Sequence, residues 1–323
     1  MSESVARAKM NSLAGAGVPF LFVIDFDKQH SIVQSLDKLE NELIHYDFPN
    51  ASNSLPLTQK KSKIEFEKFP VHFDEFSRAH EQVMAEILFG NSFLLNLTFE
   101  TPIKTNLSLK EIFDLSKSKY RIYLKDFFVS FSPETFIKII GNKIFSYPMK
   151  GTIDANLKDA EMVILSDEKE MAEHYTIVDL IRNDLSMVSK KVRVNKFRFI
   201  DRLTTNYGDI LQVSSEIEGT LPDDFYKILG DIIFKLLPAG SISGAPKEKT
   251  LEIIGAAESH KRGFYTGICG IFDGKNLDSA VLIRFIEKKG SELYFKSGGG
   301  ITFQSDPLSE YNEMIKKVYV PFT

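Results

Sequence analysis

The step Asp273-Gly274 stands between two mostly apolar runs, residues 266–272 and residues 276–287. Asp-Gly is a strong signal for the two-residue turn of a β-hairpin, because both turn positions need a backbone conformation that these residues adopt easily. Strands joined by so short a turn must run antiparallel. The step therefore predicts an antiparallel sheet and argues against a fold built only from parallel strands.

Other segments extend this pattern of strands in hairpins with helices between them. A second hairpin is predicted at Gly141-Asn142, between residues 137–140 and residues 143–147. Further strands, predicted from apolar runs and from alternation, are residues 18–26, 62–73, 92–99, 125–131, 191–200 and 293–297, with a tight bend at 298–300. Helices, predicted from apolar spacing of three and four residues, are residues 74–89, 108–115, 167–188, 223–237, 306–318 and a segment from the end of the 238–247 loop to about residue 258. The pattern predicts an α+β fold with largely antiparallel sheets.

Composition and charge exclude several classes of protein. Of the 323 residues, 43% are hydrophobic and 26% are charged, and the net charge of −4 argues against a basic nucleic-acid-binding surface. The single cysteine, Cys269, is typical of a reducing compartment. The chain has neither an apolar run long enough to span a membrane nor the apolar centre of a secretory signal. We therefore expect a soluble, cytoplasmic protein that binds neither nucleic acid nor membrane. Residues 49–60 are too short for a convincing linker, which predicts a single domain over residues 1–323.

Lys150 occupies an unusual place for a lysine. It lies in the stretch SYPMKGT, residues 146–152, directly after the second predicted hairpin. A charged ammonium group is poorly solvated beside an apolar strand, and lysines in such places often have a chemical role. The alternative is a lysine that only pairs with an anionic ligand.

Two predicted helices carry paired glutamates three residues apart. The pairs are Glu170 with Glu173 and Glu310 with Glu313, and each borders the apolar stripe of its helix. Either pair alone is better explained as a solvated acidic edge. Together they suggest a site for Mg²⁺, which takes oxygen ligands and often shares them with a bound anion. A di-iron site is excluded, because it requires Glu-x-x-His on the helices of an all-helical bundle.

Two glycine-rich loops and one arginine complete the set of candidate residues. Residues 238–247, PAGSISGAPK, end at a predicted helix start, and residues 296–301, KSGGGI, offer exposed amides that could form an anion-binding nest. Neither matches a nucleotide-binding P-loop. Arg284 stands within an apolar run and is either a solvent-facing strand residue or a carboxylate clamp. The residues thus predict a Mg²⁺-assisted site for a small polyanion.

At these residues the chain resembles the chorismate-utilising enzymes. The matching motifs, in the family's order, are SPE (132–134), PMKGT (148–152), KEMAEH (169–174), VDLIRND (178–184), PAGSISGAPK (238–247), RGFYTG (262–267), LDSAVLIR (277–284), SGGGI (297–301) and SDPLSEYNEM (305–314). The resemblance implies a large two-sheet, mainly antiparallel sandwich with outer helices. It also implies a single chorismate-binding catalytic domain, with a divergent, shortened part at residues 1–90 and the motifs in residues 91–323.

Within that family the position of Lys150 separates the activities. Anthranilate, isochorismate and salicylate synthases typically have alanine there, whereas aminodeoxychorismate synthases have a lysine thought to be a covalent nucleophile. The resemblance therefore implies an aminodeoxychorismate synthase component I, which converts chorismate and ammonia to 4-amino-4-deoxychorismate for p-aminobenzoate and folate synthesis. The ammonia would come from a separate glutaminase subunit. The alternatives are an anthranilate synthase component I and a non-catalytic chorismate-binding subunit.

The resemblance also assigns roles to the candidate residues. Mg²⁺ would be held by Glu173 and Glu313, with Glu170 and Glu310 in support, and Glu134 would be the general acid. The residues expected to bind the substrate are Arg284, Tyr265, Lys317, Thr152, Gly298, Gly299 and Gly300.

Two positions depart from the family pattern. Leu94 stands where many relatives have glutamine, and Gln212 stands where they have histidine. The change at Leu94 affects the expected contacts of the incoming ammonia. The change at Gln212 affects any acid or base role at that position.

Overall fold

The computed structural model describes residues 1–54, 63–205 and 208–322. The chain divides into two compact units, and each is assembled from separate segments of the sequence. Unit 1 comprises Met1–Lys38, Glu134–Ser241 and Gly267–Val281, and unit 2 comprises Leu39–Pro133, Ile242–Thr266 and Leu282–Thr323. Because the segments alternate along the chain, neither unit is bounded by one linker.

The strands in chain order are β1 (Phe20–Ile24), β2 (Ser31–Ser35), β3 (Ile44–Phe48), β4 (Ala51–Ser52), β5 (Phe66–Lys68), β6 (Leu94–Thr105), β7 (Tyr120–Leu124), β8 (Phe128–Ser132), β9 (Thr135–Ile140), β10 (Lys143–Ser146), β11 (Met149–Asp154), β12 (Lys190–Thr205), β13 (Gly208–Thr220), β14 (Gly244–Ala245), β15 (Ile268–Phe272), β16 (Leu277–Val281), β17 (Phe285–Lys289) and β18 (Glu292–Ile301).

The helices are α1 (Glu3–Gly15), α2 (Phe73–Leu88), α3 (Leu109–Leu115), α4 (Ala160–Ser166), α5 (Glu168–Ser186), α6 (Leu229–Leu236), α7 (Gly240–Ser243), α8 (Lys247–Ala257) and α9 (Pro307–Lys316). Helix α3 begins directly after Ser108, which forms a reciprocal capping box with Glu111. No helix in the described part of the chain is both long enough and apolar enough to cross a membrane.

Unit 1 is built around a nine-stranded antiparallel sheet. Its strand order is β11-β13-β10-β9-β16-β15-β1-β2, and β12 pairs with β13 in addition. Strand β1 is buried along its whole length, and the rings of Phe20 and Phe272 are in contact across the β1–β15 pair. The strand order places β11, the strand that carries Lys150, at the opposite end of the sheet from β1 and β2.

Unit 2 is built around a second nine-stranded antiparallel sheet. Its order is β14-β6-β18-β17-β8-β7-β3-β4, with β5 paired to β6. Two clusters of buried apolar side chains lie in this unit, one that includes α3 and one that includes residues of α2, α8 and α9. The second cluster contains Met314 and Ile301, so α9 packs near the end of β18.

The predicted α+β class with large antiparallel sheets is confirmed, and so are both hairpins. Strands β9 and β10 pair across Gly141-Asn142, and β15 and β16 pair across residues 273–276, which contain the predicted Asp273-Gly274 step. The prediction of one strand over residues 276–287 is wrong. Strand β16 ends at Val281, and β17 begins at Phe285 in the other sheet.

The tight bend predicted at residues 298–300 is also wrong, because the three glycines lie within β18. They pair with Thr98, Leu97 and Asn96 of β6. Of the predicted strand at residues 62–73, only Phe66–Lys68 is a strand, and residue 62 lies outside the described residues. The helix predicted at 223–237 is a 3-10 turn, Phe225–Ile228, followed by α6.

Candidate active site

Lys150 follows the β9–β10 hairpin, as predicted, and is the second residue of a further strand, β11. It lies opposite Val213 of β13. Its Nζ is 2.9 Å from a carboxylate oxygen of Glu173 on α5, and the lysine side chain is 24% exposed. Two residues that the sequence analysis selected separately therefore meet in one ion pair within unit 1.

This ion pair has a chemical consequence for both residues. A nearby carboxylate favours the charged ammonium form of a lysine, whereas a nucleophilic amine must be neutral. A nucleophilic role for Lys150 would therefore require that its ion pair with Glu173 is broken and that its amine loses a proton first.

Glu170 and Glu173 lie in the first two turns of α5. Asp167 caps this helix and accepts a hydrogen bond from the backbone N–H of Glu170 at 2.9 Å. The positive end of the helix dipole favours carboxylates at this place. Gly151, with a φ of +79°, lies so close that an added Cβ would be 3.2 Å from Glu170 Oε2. The glycine of PMKGT therefore permits the approach of Glu170 to β11.

His174 anchors α5 to the sheet directly after Glu173. Its Nε2 is 2.7 Å from Ser215 Oγ on β13, and the ring is almost completely buried. Burial, with the nearby charges of Arg198 and Lys150, lowers the pKa of His174 to about 4. The imidazole is neutral at physiological pH, and it fixes the helix turn that presents Glu173.

Glu134 has a partner that the sequence analysis did not identify. Ser241 Oγ donates a hydrogen bond to its carboxylate at 2.6 Å. Both residues line a cavity of about 20 Å³, together with Asp184 and apolar side chains that include Phe136 and Leu185. Ser241 belongs to the PAGSISGAPK loop, which was predicted to bind an anion at a helix start. Here its hydroxyl binds a carboxylate of the protein itself.

Thr152 and Gln212 lie opposite each other on β11 and β13. Thr152 is exposed, and in the described residues no hydrogen bond from its side chain links it to Lys150 or Glu173. The Oε1 atom of Gln212 is buried and has no hydrogen-bond partner among the described residues. The departure at position 212 therefore places an amide oxygen, and not an imidazole, beside β11.

In unit 2, Arg284 lies in the break that precedes β17. Its φ is +50°, which is unusual for a residue with a side chain. Its guanidinium donates to the carbonyl of Lys317 at 2.7 Å and lies 4.7 Å from the centre of the Tyr319 ring. Burial lowers the pKa of Arg284 from its usual value. No acidic side chain lies within ion-pair distance of it in the described part of the chain, which leaves it suited to a carboxylate ligand.

The glycine run lies where β18 continues past the end of its neighbour β17. The β17–β18 ladder ends at the pair Phe285 and Lys296, whereas the β6–β18 ladder continues to Ile301. In an antiparallel strand alternate backbone groups point to opposite sides. On the side of β17, groups of residues 297–300 therefore have no strand partner among the described strands. The predicted anion nest is replaced by this open strand segment beside Arg284.

Helix α9 brings Glu310, Glu313 and Lys317 to the same glycine run. Glu310 is buried and accepts a hydrogen bond from Ser305 Oγ at 2.8 Å. An added Cβ at Gly299 would lie 3.3 Å from Glu310 Oε2. Lys317 Nζ lies 2.7 Å from Glu313 and 2.9 Å from the Gly298 carbonyl, which accepts its hydrogen bond. The predicted site residues of α9 therefore lie against the predicted glycines of β18 within unit 2.

Tyr265 and Leu94 are the remaining predicted or flagged residues of unit 2. Tyr265 is buried, contacts the ring of Phe285 and donates its backbone N–H to the carbonyl of Arg262 at 3.1 Å. Leu94 is buried at the start of β6, opposite Ala245. An apolar side chain at position 94 cannot supply the hydrogen bonds of an amide.

The donor set on each unit suits Mg²⁺. Helices α5 and α9 each carry two glutamates one turn apart, and carboxylate oxygens are the ligands that this ion takes, with one or two of them sufficing beside a substrate anion. Within each unit, the described residues contain no group of three or more His, Cys, Asp or Glu side chains arranged to hold a metal ion. The glutamates of each helix are thus oxygen donors of the kind that Mg²⁺ takes, but the described residues of neither unit form a closed structural metal site.

Comparison with known sequences places this geometry in a family. A protein called an uncharacterized PabA-like protein in Haemophilus influenzae is 51% identical over 303 residues, which cover 94% of this chain and 92% of that protein. Aminodeoxychorismate synthase component 1 of Bacillus subtilis is 34% identical over 265 residues, covering 77% of this chain and 55% of the synthase. Anthranilate synthase component 1 of Acetivibrio thermocellus is 32% identical over 303 residues, covering 89% and 60%. The chain thus spans little more than half of the two synthases.

Solved structures support the same fold. The menaquinone-specific isochorismate synthase of Escherichia coli matches with a TM-score of 0.73 and 16% identity, covering 98% of this chain and 81% of that chain. Anthranilate synthase component I of Streptococcus pneumoniae matches with a TM-score of 0.61 and 26% identity, covering 84% and 61%. The family model for chorismate binding enzymes matches residues 20–322. The chain therefore belongs to the chorismate binding enzyme family.

Proposed function

We propose that this chorismate-utilising enzyme is an aminodeoxychorismate synthase component I, which converts chorismate and ammonia to 4-amino-4-deoxychorismate. The observation that carries the proposal is Lys150 in the PMKGT strand, in contact with Glu173 at 2.9 Å. A primary amine at this position supplies the nucleophile that an alanine could not. The 34% identity to the Bacillus subtilis synthase supports it.

The proposed reaction begins with substrate binding. Arg284, which forms no ion pair in the described part of the chain, and Lys317 bind carboxylates of chorismate, with Tyr265 and the open segment at Gly298–Gly300. Glu134 is placed to protonate the C4 hydroxyl, so that this group can leave as water in the covalent step. The hydrogen bond from Ser241 fixes the orientation of the Glu134 carboxyl group.

Lys150 then takes part in the covalent step. After its proton passes to Glu173, its amine forms a bond to C2 of chorismate as the C4 hydroxyl leaves. Ammonia next forms a bond to C4 and the C2–lysine bond breaks, which regenerates the amine. The carboxylates expected to bind Mg²⁺ are those of the pairs Glu170 with Glu173 and Glu310 with Glu313, and the ion would supply positive charge for the ring carboxylate of the substrate. Dividing one displacement into two lowers the barrier of each.

We further propose that a separate glutaminase subunit supplies the ammonia. Two of the relatives are named as component 1 of a synthase, which implies a second component for those proteins. In this proposal the chain functions in p-aminobenzoate and folate synthesis in the cytoplasm, and free ammonium at high concentration replaces the partner in vitro.

Anthranilate synthase component I is the second candidate. It is supported by the 32% identity to the Acetivibrio thermocellus enzyme, which covers more of this chain than the Bacillus subtilis match does. That reaction eliminates pyruvate and yields a fluorescent aromatic product. It does not use a lysine nucleophile, and this difference favours the first candidate.

Product identification tests the proposal directly. The purified chain is incubated with chorismate, ammonium chloride and Mg²⁺, and the products are identified by mass spectrometry. We expect 4-amino-4-deoxychorismate, with no formation when Mg²⁺ is removed by EDTA. Anthranilate as the product would establish the second candidate. Binding of chorismate without turnover under these conditions would indicate a non-catalytic chorismate-binding subunit.

A further inference from the structure

A fully buried lysine lies two residues before the glycine run of unit 2. Lys296 of β18 is 1% exposed, although lysines are almost never buried unless their charge is paired. Its Nζ lies 2.9 Å from Glu287 on β17 and 3.3 Å from Glu100 on β6. The strands on both sides of β18 thus each supply one carboxylate to this ammonium group.

The same ammonium group also binds the chain segment that follows α8. Lys296 Nζ donates to the backbone carbonyls of Lys261 and Arg262, at 2.9 and 3.0 Å. The carbonyl of Arg262 accepts a second hydrogen bond, from the backbone N–H of Tyr265 at 3.1 Å. Lys296 therefore holds the carbonyl that closes the turn leading to Tyr265.

The other side of this segment is held by a second buried ion pair. The guanidinium of Arg262 bonds Glu258 at 2.7 and 2.9 Å, and both side chains are 2% exposed. Arg262 also donates to the carbonyl of Ile242 at 3.0 Å. Two hydrogen bonds from Thr98, its N–H and its hydroxyl, reach Glu258 at 2.9 and 2.8 Å. The segment is thus fastened to β6 as well as to β18.

The turn itself cannot adjust freely. Gly263 has a φ of +59° and Thr266 a φ of +60°, and the Thr266 N–H donates to the carbonyl of Leu282 at 2.8 Å. That bond connects the segment to the break that contains Arg284. Because Tyr265 donates its N–H to the Arg262 carbonyl, a shift of that carbonyl would also move Tyr265.

We propose that Lys296 is a positioning residue for substrate binding: it holds the turn of residues 262–265 and so sets the place of Tyr265. Lys296 does not reach the substrate, because its side chain is buried and its hydrogen bonds are used within the protein. This inference rests on the proposed function, in which Tyr265 binds chorismate. Misplacement of a binding group by about 1 Å is enough to weaken its contribution strongly.

Lys289 provides a matched control for the test. It pairs with the same two glutamates, at 2.5 Å from Glu100 and 3.5 Å from Glu287, but it is 43% exposed. In the described residues it makes no hydrogen bond to residues 261–266. Lys289→Met therefore removes one positive charge that pairs with the same two glutamates, but it removes no hydrogen bond to the turn of residues 262–265.

The test measures the Kd for chorismate by isothermal titration calorimetry, beside the melting temperature. We expect Lys296→Met to raise Kd at least about tenfold and Lys289→Met to raise it less than about twofold. If Lys296→Met lowers only the melting temperature, Lys296 is merely structural and the inference is wrong. Where the single variant does not fold, the double variant K296M/E287Q decides instead, because it leaves no unpaired carboxylate at Glu287.

A double-mutant cycle identifies the route of the effect. In a Tyr265→Phe background, Lys296→Met should change Kd by less than about twofold, because the hydroxyl that it positions is already absent. A tenfold effect in both backgrounds would mean that Lys296 acts elsewhere, and would overturn the inference. If the wild-type chain binds chorismate without forming 4-amino-4-deoxychorismate, the proposed reaction fails while the Kd comparison still decides the role of Lys296. Absence of chorismate binding overturns both.

Discussion

At the scale of single residues, the contact between Lys150 and Glu173 determines how the proposed chemistry can start. The sequence motifs identify both residues, but they are 23 positions apart and nothing in their spacing predicts a 2.9 Å ion pair. The pairing arises because β11 and the second turn of α5 are brought together by the sheet. In the structure Glu173 binds the ammonium of Lys150, and in the proposed function the same carboxylate would also bind Mg²⁺.

Lys150→Ala should separate these two roles. We expect turnover to fall by at least about 10³, because the nucleophile is lost. We also expect Mg²⁺ to bind more tightly, because the competing ammonium no longer occupies Glu173. Steady-state kinetics and calorimetric titration with Mg²⁺ measure the two effects. Lys143→Ala is the control, since Lys143 forms a comparable 2.9 Å ion pair with Glu218. Weaker Mg²⁺ binding in Lys150→Ala would contradict the competition.

Ser241 was found only in the structure, because a serine in a glycine-rich loop has many explanations in sequence. We expect Ser241→Ala to lower kcat about tenfold with a smaller change in KM, since loss of one hydrogen bond to a charged group costs about 1.5 kcal/mol. The pH profile of kcat should also shift, because the Glu134 carboxyl loses a donor. Ser166→Ala, which removes only a bond to the Val163 carbonyl, is the control. An unchanged kcat would show that Ser241 does not act on Glu134.

At the scale of elements, local sequence signals predict the hairpins, but they do not predict where the chain leaves one sheet and enters the other. Turn dipeptides act over a few residues, so the β9–β10 and β15–β16 hairpins were predictable. The apolar run after Leu277 contains no breaker, yet it divides at Leu282–Arg284 because its second half pairs with β8 and β18 of the other sheet. Likewise, three glycines suggest a bend, but their neighbour β6 supplies a full ladder of partners. Such outcomes depend on contacts distant in sequence.

Gly298→Ala tests the reason for glycine within β18. An added Cβ would lie 2.3 Å from the carbonyl oxygen of Leu97, so backbone must move to admit it. We expect the free energy of unfolding to fall by about 2 kcal/mol or more, as for other overpacked sites. Urea denaturation followed by circular dichroism measures it. Gly255→Ala is the control: nothing lies within 4 Å of its added Cβ in α8, and helix propensity predicts a gain of about 1 kcal/mol.

At the scale of the whole molecule, the chain builds two compact units from alternating segments. A domain boundary is visible in a sequence as a linker between two continuous segments, and units built from alternating segments contain no such linker. The predicted site residues are divided between the units: Lys150, Glu134, Glu170, Glu173 and Thr152 belong to unit 1, and the others belong to unit 2. No local pattern connects the residues of unit 1 with those of unit 2. The family motifs select residues in both units, because the motifs follow one another in a fixed order along the chain.

Histidines in both units give the molecule a predictable response to acid. Burial lowers the pKa of His174 to about 4, and it also lowers the pKa values of His80 and His260. In the unfolded chain each histidine returns to a pKa near 6.5. Between pH 6.5 and pH 4 the unfolded chain therefore binds more protons than the folded one, so the free energy of unfolding must decrease as the pH falls.

Urea denaturation at pH 7.5, 6.0 and 5.0 checks this expectation. The free energy of unfolding should be lower at each step down, with little change above pH 7.5 from these groups. His174→Gln should show a smaller decrease between pH 6.0 and pH 5.0 than the wild type, because one titrating group has been removed. A free energy of unfolding that is constant or higher at pH 5.0 would mean that the buried imidazoles are protonated in the folded chain, and that α5 is held to β13 by a charged rather than a neutral His174.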